Sequence, residues 1–232
     1  MTVGNQNMGS HGDTAARKFE WDGSPRSFRG NTIICPVPSS NAAHRILIEL
    51  QAALRKLSCA SSFTFLPETS FHMTLLRGVN NQIRTAGEWP SDIPLDMPIE
   101  HVHSLFRQRL AGTVFPERFR MKPVELGTAV GGESQLYLEP VDADEAELIA
   151  GVRRSIHKKL NHERPLDESY RFHITFSYRI RKLDEDQEAE LGRMNRVLFN
   201  RFIAELGVFE VGMPVLCRYD DMTAFVPITE EG

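Results

Sequence analysis

The 232-residue sequence predicts an α+β fold: two lobes related by a pseudo-twofold axis, each an antiparallel-rich sheet with packed helices, and an active-site cleft between them. Short β-branched runs alternate with segments of helical periodicity, which is the first sign. The second is that one succession occurs twice: strand, Pro, helix, then a strand holding Phe-His-x-Thr. Pro36 to His72 spans 36 positions and Pro140 to His173 spans 33, so the two copies have nearly equal length. A chain with 41% hydrophobic and 25% charged residues can bury a core without staples.

Residues 1–18 are polar at their start and read as a flexible tail, leaving 19–232 as a single bilobal domain. Residues 31–37 form a β-branched run that stops at Pro36 and Pro38, hence a strand. Ser39, Ser40 or Asn41 can cap the next helix, whose apolar positions Ile46, Leu47, Leu50, Leu54 and Leu57 lie on one face. Two strands follow, over 62–66 and 71–77. Residues 80–98 hold three prolines and read as a loop, followed by a helix over 99–111 and a strand near 119–126. Gly131-Gly132 marks a hairpin turn into a strand over 135–141. The helix over 142–160 begins with acidic residues and ends with Arg153, Arg154, Lys158 and Lys159, complementing the helix dipole on a solvated face. A strand over 171–180, a helix over 184–206 closed by Gly207, and strands near 208–217 and 222–228 complete the chain, with Asp220-Asp221 as the turn between the last two.

Strand parity gives the repeated motif its chemistry. Residues i and i+2 share a face, so His72 sits with Thr74, while Phe71, Met73 and Leu75 share the core side. In the second copy His173, Thr175, Ser177 and Arg179 share the polar face. Arg77 has core-side parity unless its strand bends. Two such strands on a twofold would bring two imidazoles and two hydroxyls into one cleft. One neutral imidazole can take a proton from water while a protonated one supplies the departing ribose oxygen, and both roles suit a group titrating near neutrality. The threonine hydroxyls, with Ser177 and a nearby Arg179, can bind the non-bridging phosphate oxygens. That set is complete for opening a cyclic phosphodiester with no metal or cofactor. Which histidine is acid and which base stays open.

With 8 His and 12 Thr, chance supplies about 0.4 His-x-Thr matches. Two matches, each preceded by Phe and flanked by apolar residues, exceed that expectation. These residues resemble the two-histidine (2H) phosphoesterase superfamily, RNA ligase/cyclic nucleotide phosphodiesterase-like proteins with two His-x-Thr/Ser motifs on two lobes around a shared cleft. The resemblance runs from about residue 19 to 228. Phe19-Glu20-Trp21-Asp22-Gly23-Ser24 through Gly30-Asn31-Thr32 resembles the opening of one poorly characterised branch. It implies that His72 and His173 are catalytic and that Thr74 and Thr175 bind phosphate. It also implies a substrate among 2′,3′-cyclic nucleotides, RNA ends and ADP-ribose cyclic phosphates. Residues 78–118 are an insertion beyond the minimal pattern and bear on the shape of the cleft. Alternatives on the same fold are ligase-type activity on RNA, or a nucleotide- or RNA-end-binding module without catalysis. A metal hydrolase recruiting both histidines and carboxylates is a further class, separable by chelation.

Composition narrows the partners. A net charge of −4 excludes a broad basic face for coating nucleic acid, while leaving room for a local pocket for a small phosphodiester. No stretch approaches the ~20 apolar residues of a membrane span, and the polar N-terminus lacks a secretory pattern, so a cytoplasmic monomer is expected. Cys35, Cys59 and Cys217 have no metal or redox spacing and are expected as buried thiols. His101-x-His103 on a helix would place its rings on different faces, and surface positions are expected for both, as for His44, His157 and His162. Arg171, Arg179, Arg181 and Lys182 are either plain surface charge or a phosphate-steering stretch.

Overall fold

The strands carrying the two motifs lie side by side at the centre of one antiparallel sheet. In this computed structural model, which describes residues 13–129 and 131–229, the elements are α1 (Asp13–Lys18), β1 (Gly30–Pro36), α2 (Ala42–Leu54), β2 (Phe63–Phe65), β3 (His72–Asn80), α3 (Ile99–Leu110), β4 (Arg118–Thr128), β5 (Glu133–Pro140), α4 (Ala143–Leu160), β6 (Phe172–Arg179), α5 (Glu185–Leu206), β7 (Phe209–Gly212), β8 (Val215–Tyr219) and β9 (Val226–Pro227). The strand order is β7-β4-β5-β6-β3-β1-β8-β9, with β2 alongside β6. Read outward from the β6–β3 joint, β3 matches β6, β1 matches β5, β8 matches β4 and β9 matches β7. The predicted pseudo-twofold is therefore visible in the topology.

The joint itself is narrow: Met73 opposite Ile174 is the one paired position between β3 and β6. Both side chains are fully buried, each contributing roughly 1.5–3 kcal/mol of burial. One hydrophobic core spans both halves, from Ile33 and Leu75 through Ile174 and Phe176. The helices cover it for the reasons the sequence supplies. Asn41 caps α2 by accepting from the Ala43 amide, and Ile46, Leu47, Leu50 and Leu54 face inward. Asp142 caps α4 by accepting from the Glu145 amide, and Asn161 closes it in the left-handed region at φ 54°.

Several expectations need correcting. The stretch expected as one strand near 208–217 is two: β7 pairs with β4, and β8 pairs with β1. Pro214 has no amide to donate to a ladder, and at that break the chain passes from one half to the other. The matching of Pro36 with Pro140 is offset. Pro36 lies opposite His72, but Tyr137 lies opposite His173, and Pro140 pairs with Met121. The tail expected over 1–18 ends sooner. Residues 1–12 lie outside the described residues, but Asp13–Lys18 form α1, with Ala15 buried and its amide donating to the Gly131 carbonyl. A Cβ on Gly131 would stand 2.6 Å from the Thr14 hydroxyl, so the glycines of this turn also make room for α1.

Arg153 is no solvated end of α4 but a buried residue, and His103, His44 and His162 are buried as well. His103 turns from α3 toward Gly30, Arg29 and Arg218 on the β1–β8 side, which encloses it where a surface position was expected. The insertion is anchored rather than loose. Trp89 is fully buried and donates from Nε1 to the Ile83 carbonyl at 2.9 Å, and Pro90 bridges to His162. Cys35, Cys59 and Cys217 are buried free thiols. No helix among the described residues is long and apolar enough to cross a membrane.

Candidate functional site

His72, Thr74, His173 and Thr175 line one cleft of about 460 Å³ at the β3–β6 joint. Each histidine begins the polar parity of its strand, and each is fixed in the same way. Nδ1 of His72 lies 2.7 Å from the Ser70 carbonyl, and Nδ1 of His173 lies 2.8 Å from the Arg171 carbonyl. A carbonyl only accepts, so Nδ1 carries the proton in both rings, leaving Nε2 as the nitrogen free for chemistry. The same i−2 contact in both copies makes the two rings equivalent in tautomer.

Parity then fails in both strands at one place. In the β1–β3 ladder, Ile33 pairs with Leu76 and Ile34 with Thr74, so Leu75 is an extra residue. In the β5–β6 ladder, Ser134 pairs with Ser177 and Gln135 with Thr175, so Phe176 is extra. Each strand thus bulges three residues after its histidine, and the side chains that follow change face, up to a second irregularity between Arg77 and Asn80 of β3. Arg77 and Tyr178, each five residues after the histidine, turn into the cleft. Ser177 and Arg179 turn away, correcting the parity assigned to them. Ser177 is buried outside the cleft, and the Arg179 guanidinium donates to Glu188 of α5 at 2.7 Å. Arg171 likewise pairs with Glu125, so the 171–182 basic stretch does not supply the cleft's charge.

The bulges leave carbonyls that need donors, and each receives one from the helix of the other half, that of Phe176 accepting from the Leu66 amide as well. Arg153 of α4 donates to the Leu75 carbonyl at 3.1 Å. Gln51 of α2 donates to the Phe176 carbonyl at 2.7 Å. A buried Arg and a buried Gln, both unremarkable in sequence, therefore hold the register that aims Arg77 and Tyr178.

Burial by the cleft walls pushes the His72 pKa down to about 4, the Ser70 carbonyl opposes this, and the charges of His173 and Lys18 push it further down. His173 is also lowered, first by desolvation; its hydrogen bond to the Arg171 carbonyl and the Glu133 carboxylate oppose this, and Lys18 adds to it. The wall around the rings is aromatic. Phe225 lies 4.2 Å from His72 between centroids, Tyr170 lies 5.8 Å from His173, and Tyr137 lies 6.1 Å from it. Tyr170 shares a hydrogen bond with Thr74, and its pKa is pushed up to about 12 by burial, so it stays neutral. Gln135 lies 3.4 Å from the Thr175 hydroxyl. At the rim, Arg164 is ion-paired with Glu88 of the insertion and donates to the Arg77 carbonyl at 3.2 Å. Among the described residues the Arg77 guanidinium has no carboxylate partner.

Sequence reasoning did not find Lys18, Tyr170, Gln135 or Phe225. Lys18 sat in the expected tail; Tyr170 precedes the motif strand by two residues, and nothing marks it apart from a core aromatic. Among the described residues no group of three or more His, Cys, Asp or Glu is placed to hold a metal ion.

Residues 18–130 match the family model 2H-phosphodiest, described as a domain of unknown function (DUF1868). That span contains His72 and Thr74; His173 and Thr175 lie beyond it. Among solved structures, a conserved protein of unknown function, ATU0111 from Agrobacterium tumefaciens, aligns with a TM-score of 0.81 at 23% identity, covering 98% of this chain and 93% of that one. A phosphoesterase aligns with a TM-score of 0.49 at 11% identity over 88% of this chain and 97% of that one. Escherichia coli LigT complexed with phosphate aligns at 0.47 and 12% identity over 88% and 96%. No curated protein matches the sequence. The family match thus takes in the first motif, and the TM-score of 0.81 shows the fold that this chain shares with ATU0111.

Proposed function

We propose that this protein hydrolyses a cyclic phosphodiester, carried by a nucleotide, an RNA end or an ADP-ribose derivative, through His72 and His173 acting as a general base and acid without a metal. One observation carries the reading: both imidazoles are held in the same tautomer beside a threonine, in one cleft. Water attacks phosphorus, its proton passes to Nε2 of the base, and the ribose oxygen leaves with the proton from the acid, so water is added across one P–O bond. His173 feels the Glu133 carboxylate, which favours its charged form, while among the described residues no carboxylate does this for His72. His72 is accordingly assigned as base and His173 as acid. Thr74 and Thr175 would donate to the non-bridging oxygens, with Arg77 adding charge where Arg179 was expected to. The buried thiols fit a reducing, cytoplasmic setting.

The test is ³¹P NMR of 2′,3′-cyclic mononucleotides and ADP-ribose cyclic phosphate in EDTA, with wild type and His173→Ala in parallel. Ring opening by wild type alone supports the reading; conversion that requires added metal, or none with any substrate, refutes it. A p-nitrophenyl phosphodiester, whose leaving group needs no proton, separates the roles. His173→Ala should retain turnover of that ester while His72→Ala loses it, and the opposite pattern exchanges acid and base.

A further inference from the structure

We propose that Lys18, delivered from α1, is the fixed cation of the cleft and receives the phosphate of the substrate between the two histidine motifs. This deepens the phosphodiester reading and rests on it for the identity of the substrate, though not for the existence of an anion site.

Lys18 lines the same cleft as both histidines. Its Nζ lies 3.1 Å from the Tyr178 hydroxyl and 3.7 Å from Glu133, and its side chain is 15% exposed. An ammonium has three donors. One goes to Tyr178, and the Glu133 contact is an ion pair too long for a hydrogen bond, so donors remain for a ligand in the open side of the cleft. The stem is also pinned: Nζ stands 4.9 Å from the Tyr178 ring centroid and 5.8 Å from that of Phe28. A cation already stripped of water and held in place binds an anion without the ordering cost a surface lysine would incur.

The surroundings keep this group charged. Burial would discharge it, but Tyr178 and Glu133 outweigh burial and its pKa ends raised. The ionisable groups around it are Tyr178 on β6, Glu133 on β5 and Tyr219 on β8, with the two histidines beyond. Tyr178 reaches Lys18 because of the bulge at Phe176, and α1 reaches the cleft because Gly131 and Gly132 carry no Cβ. The bulge and the glycine turn thus converge on one ammonium. The charge of Lys18 also acts on both rings, lowering His72 and His173 together.

The experiment compares wild type, Lys18→Met and Lys18→Arg, using inorganic phosphate as the probe. Phosphate affinity is measured by ³¹P NMR, and the titration of His72 and His173 by ¹H–¹³C NMR without phosphate. Lys18→Met should weaken phosphate about tenfold or more, the loss of one charge-assisted contact, and should move both histidine titrations upward. Lys18→Arg, which keeps the charge, should hold the titrations near wild type even if affinity falls, and it keeps the proposal open to refutation should Lys18→Met not fold. Wild-type affinity and unmoved titrations in a folded Lys18→Met overturn the proposal. A Lys18-dependent phosphate site in a protein that opens no cyclic phosphodiester would uphold it while overturning the reaction assigned above.

Discussion

The halves built on β1–α2–β3 and β5–α4–β6 agree in backbone and differ in what the backbone presents. Both fix their histidine through the i−2 carbonyl, both bulge three residues later, and both send the residue five positions on into the cleft. At that last position one half presents Arg77 and the other Tyr178, the partner of Lys18. His72 stands against Phe225 from the chain's end, and His173 against Tyr137 from the neighbouring strand. Equivalent frames with unequal walls suit a reaction that needs two unlike protonation states of one side-chain type.

The equivalence is broken most severely by removing either ring. His72→Ala and His173→Ala should each lower kcat by roughly 10² to 10⁴ on a cyclic substrate. The double variant should fall little further, because acid and base act in one transition state. Additive losses in steady-state kinetics would mean that the two rings serve separate steps. The pH dependence sharpens the inequality. With His72 lowered to about 4 and His173 lowered from 6.5, kcat/KM should follow a bell lying below pH 6.5. An optimum above pH 7 would show that the free cleft does not hold the rings this way.

The threonines come next. Thr74→Ala and Thr175→Ala should each slow turnover by about tenfold, the worth of one hydrogen bond to a charged oxygen, and so less than either histidine variant. Thr74 is held by Tyr170, whereas Thr175 takes the longer contact from Gln135. Tyr170→Phe should therefore lower kcat more than Gln135→Leu. The reverse order would place the better-oriented hydroxyl in the second half.

The motif pair, its strands, the flanking helices and the antiparallel α+β plan are all visible in the sequence, because hydrophobic periodicity and residue type report them directly. What parity could not report is the pair of bulges, since an extra residue leaves no mark in an apolar run such as Leu75-Leu76 or Phe176. Every expectation up to Thr74 and Thr175 therefore meets the cleft, and those beyond, Ser177 and Arg179, face away from it. Lys18 was illegible for another reason: its place depends on the Gly131-Gly132 turn, more than a hundred residues away.

The bulges offer a finer test, since each is capped by the helix of the opposite half. Arg153→Met orphans the Leu75 carbonyl, costing about 1–3 kcal/mol of stability in denaturant melts, whereas Gln51→Leu leaves the Phe176 carbonyl its bond from the Leu66 amide and should cost less. The effect on the cleft should cross over. Gln51→Leu, in the first half, should disturb the Tyr178–Lys18 contact, and Arg153→Met, in the second, should disturb Arg77. Amide shifts confined to the half that carries the mutation would show that the bulges hold without these donors.

The smallest effect concerns acid stability, and it too is unequal between the halves. His162, in the segment facing the insertion, is 7% exposed, and neither ring nitrogen has a hydrogen-bond partner among the described residues. Burial, then the charges of Arg164, His157 and Arg109, push its pKa down to about 4. The unfolded chain would protonate this ring near 6.5, so between 6.5 and 4 it binds more protons than the folded protein does. Stability from this residue is complete above about pH 6.5 and is lost as pH falls toward 4. An apolar replacement forfeits no hydrogen bond, so His162→Leu should leave the melting temperature at pH 7.5 within a few degrees of wild type and flatten its decline below pH 6.5. Thermal melts across that range decide the matter: an unchanged acid slope in His162→Leu would assign the loss to His72 and the cleft instead.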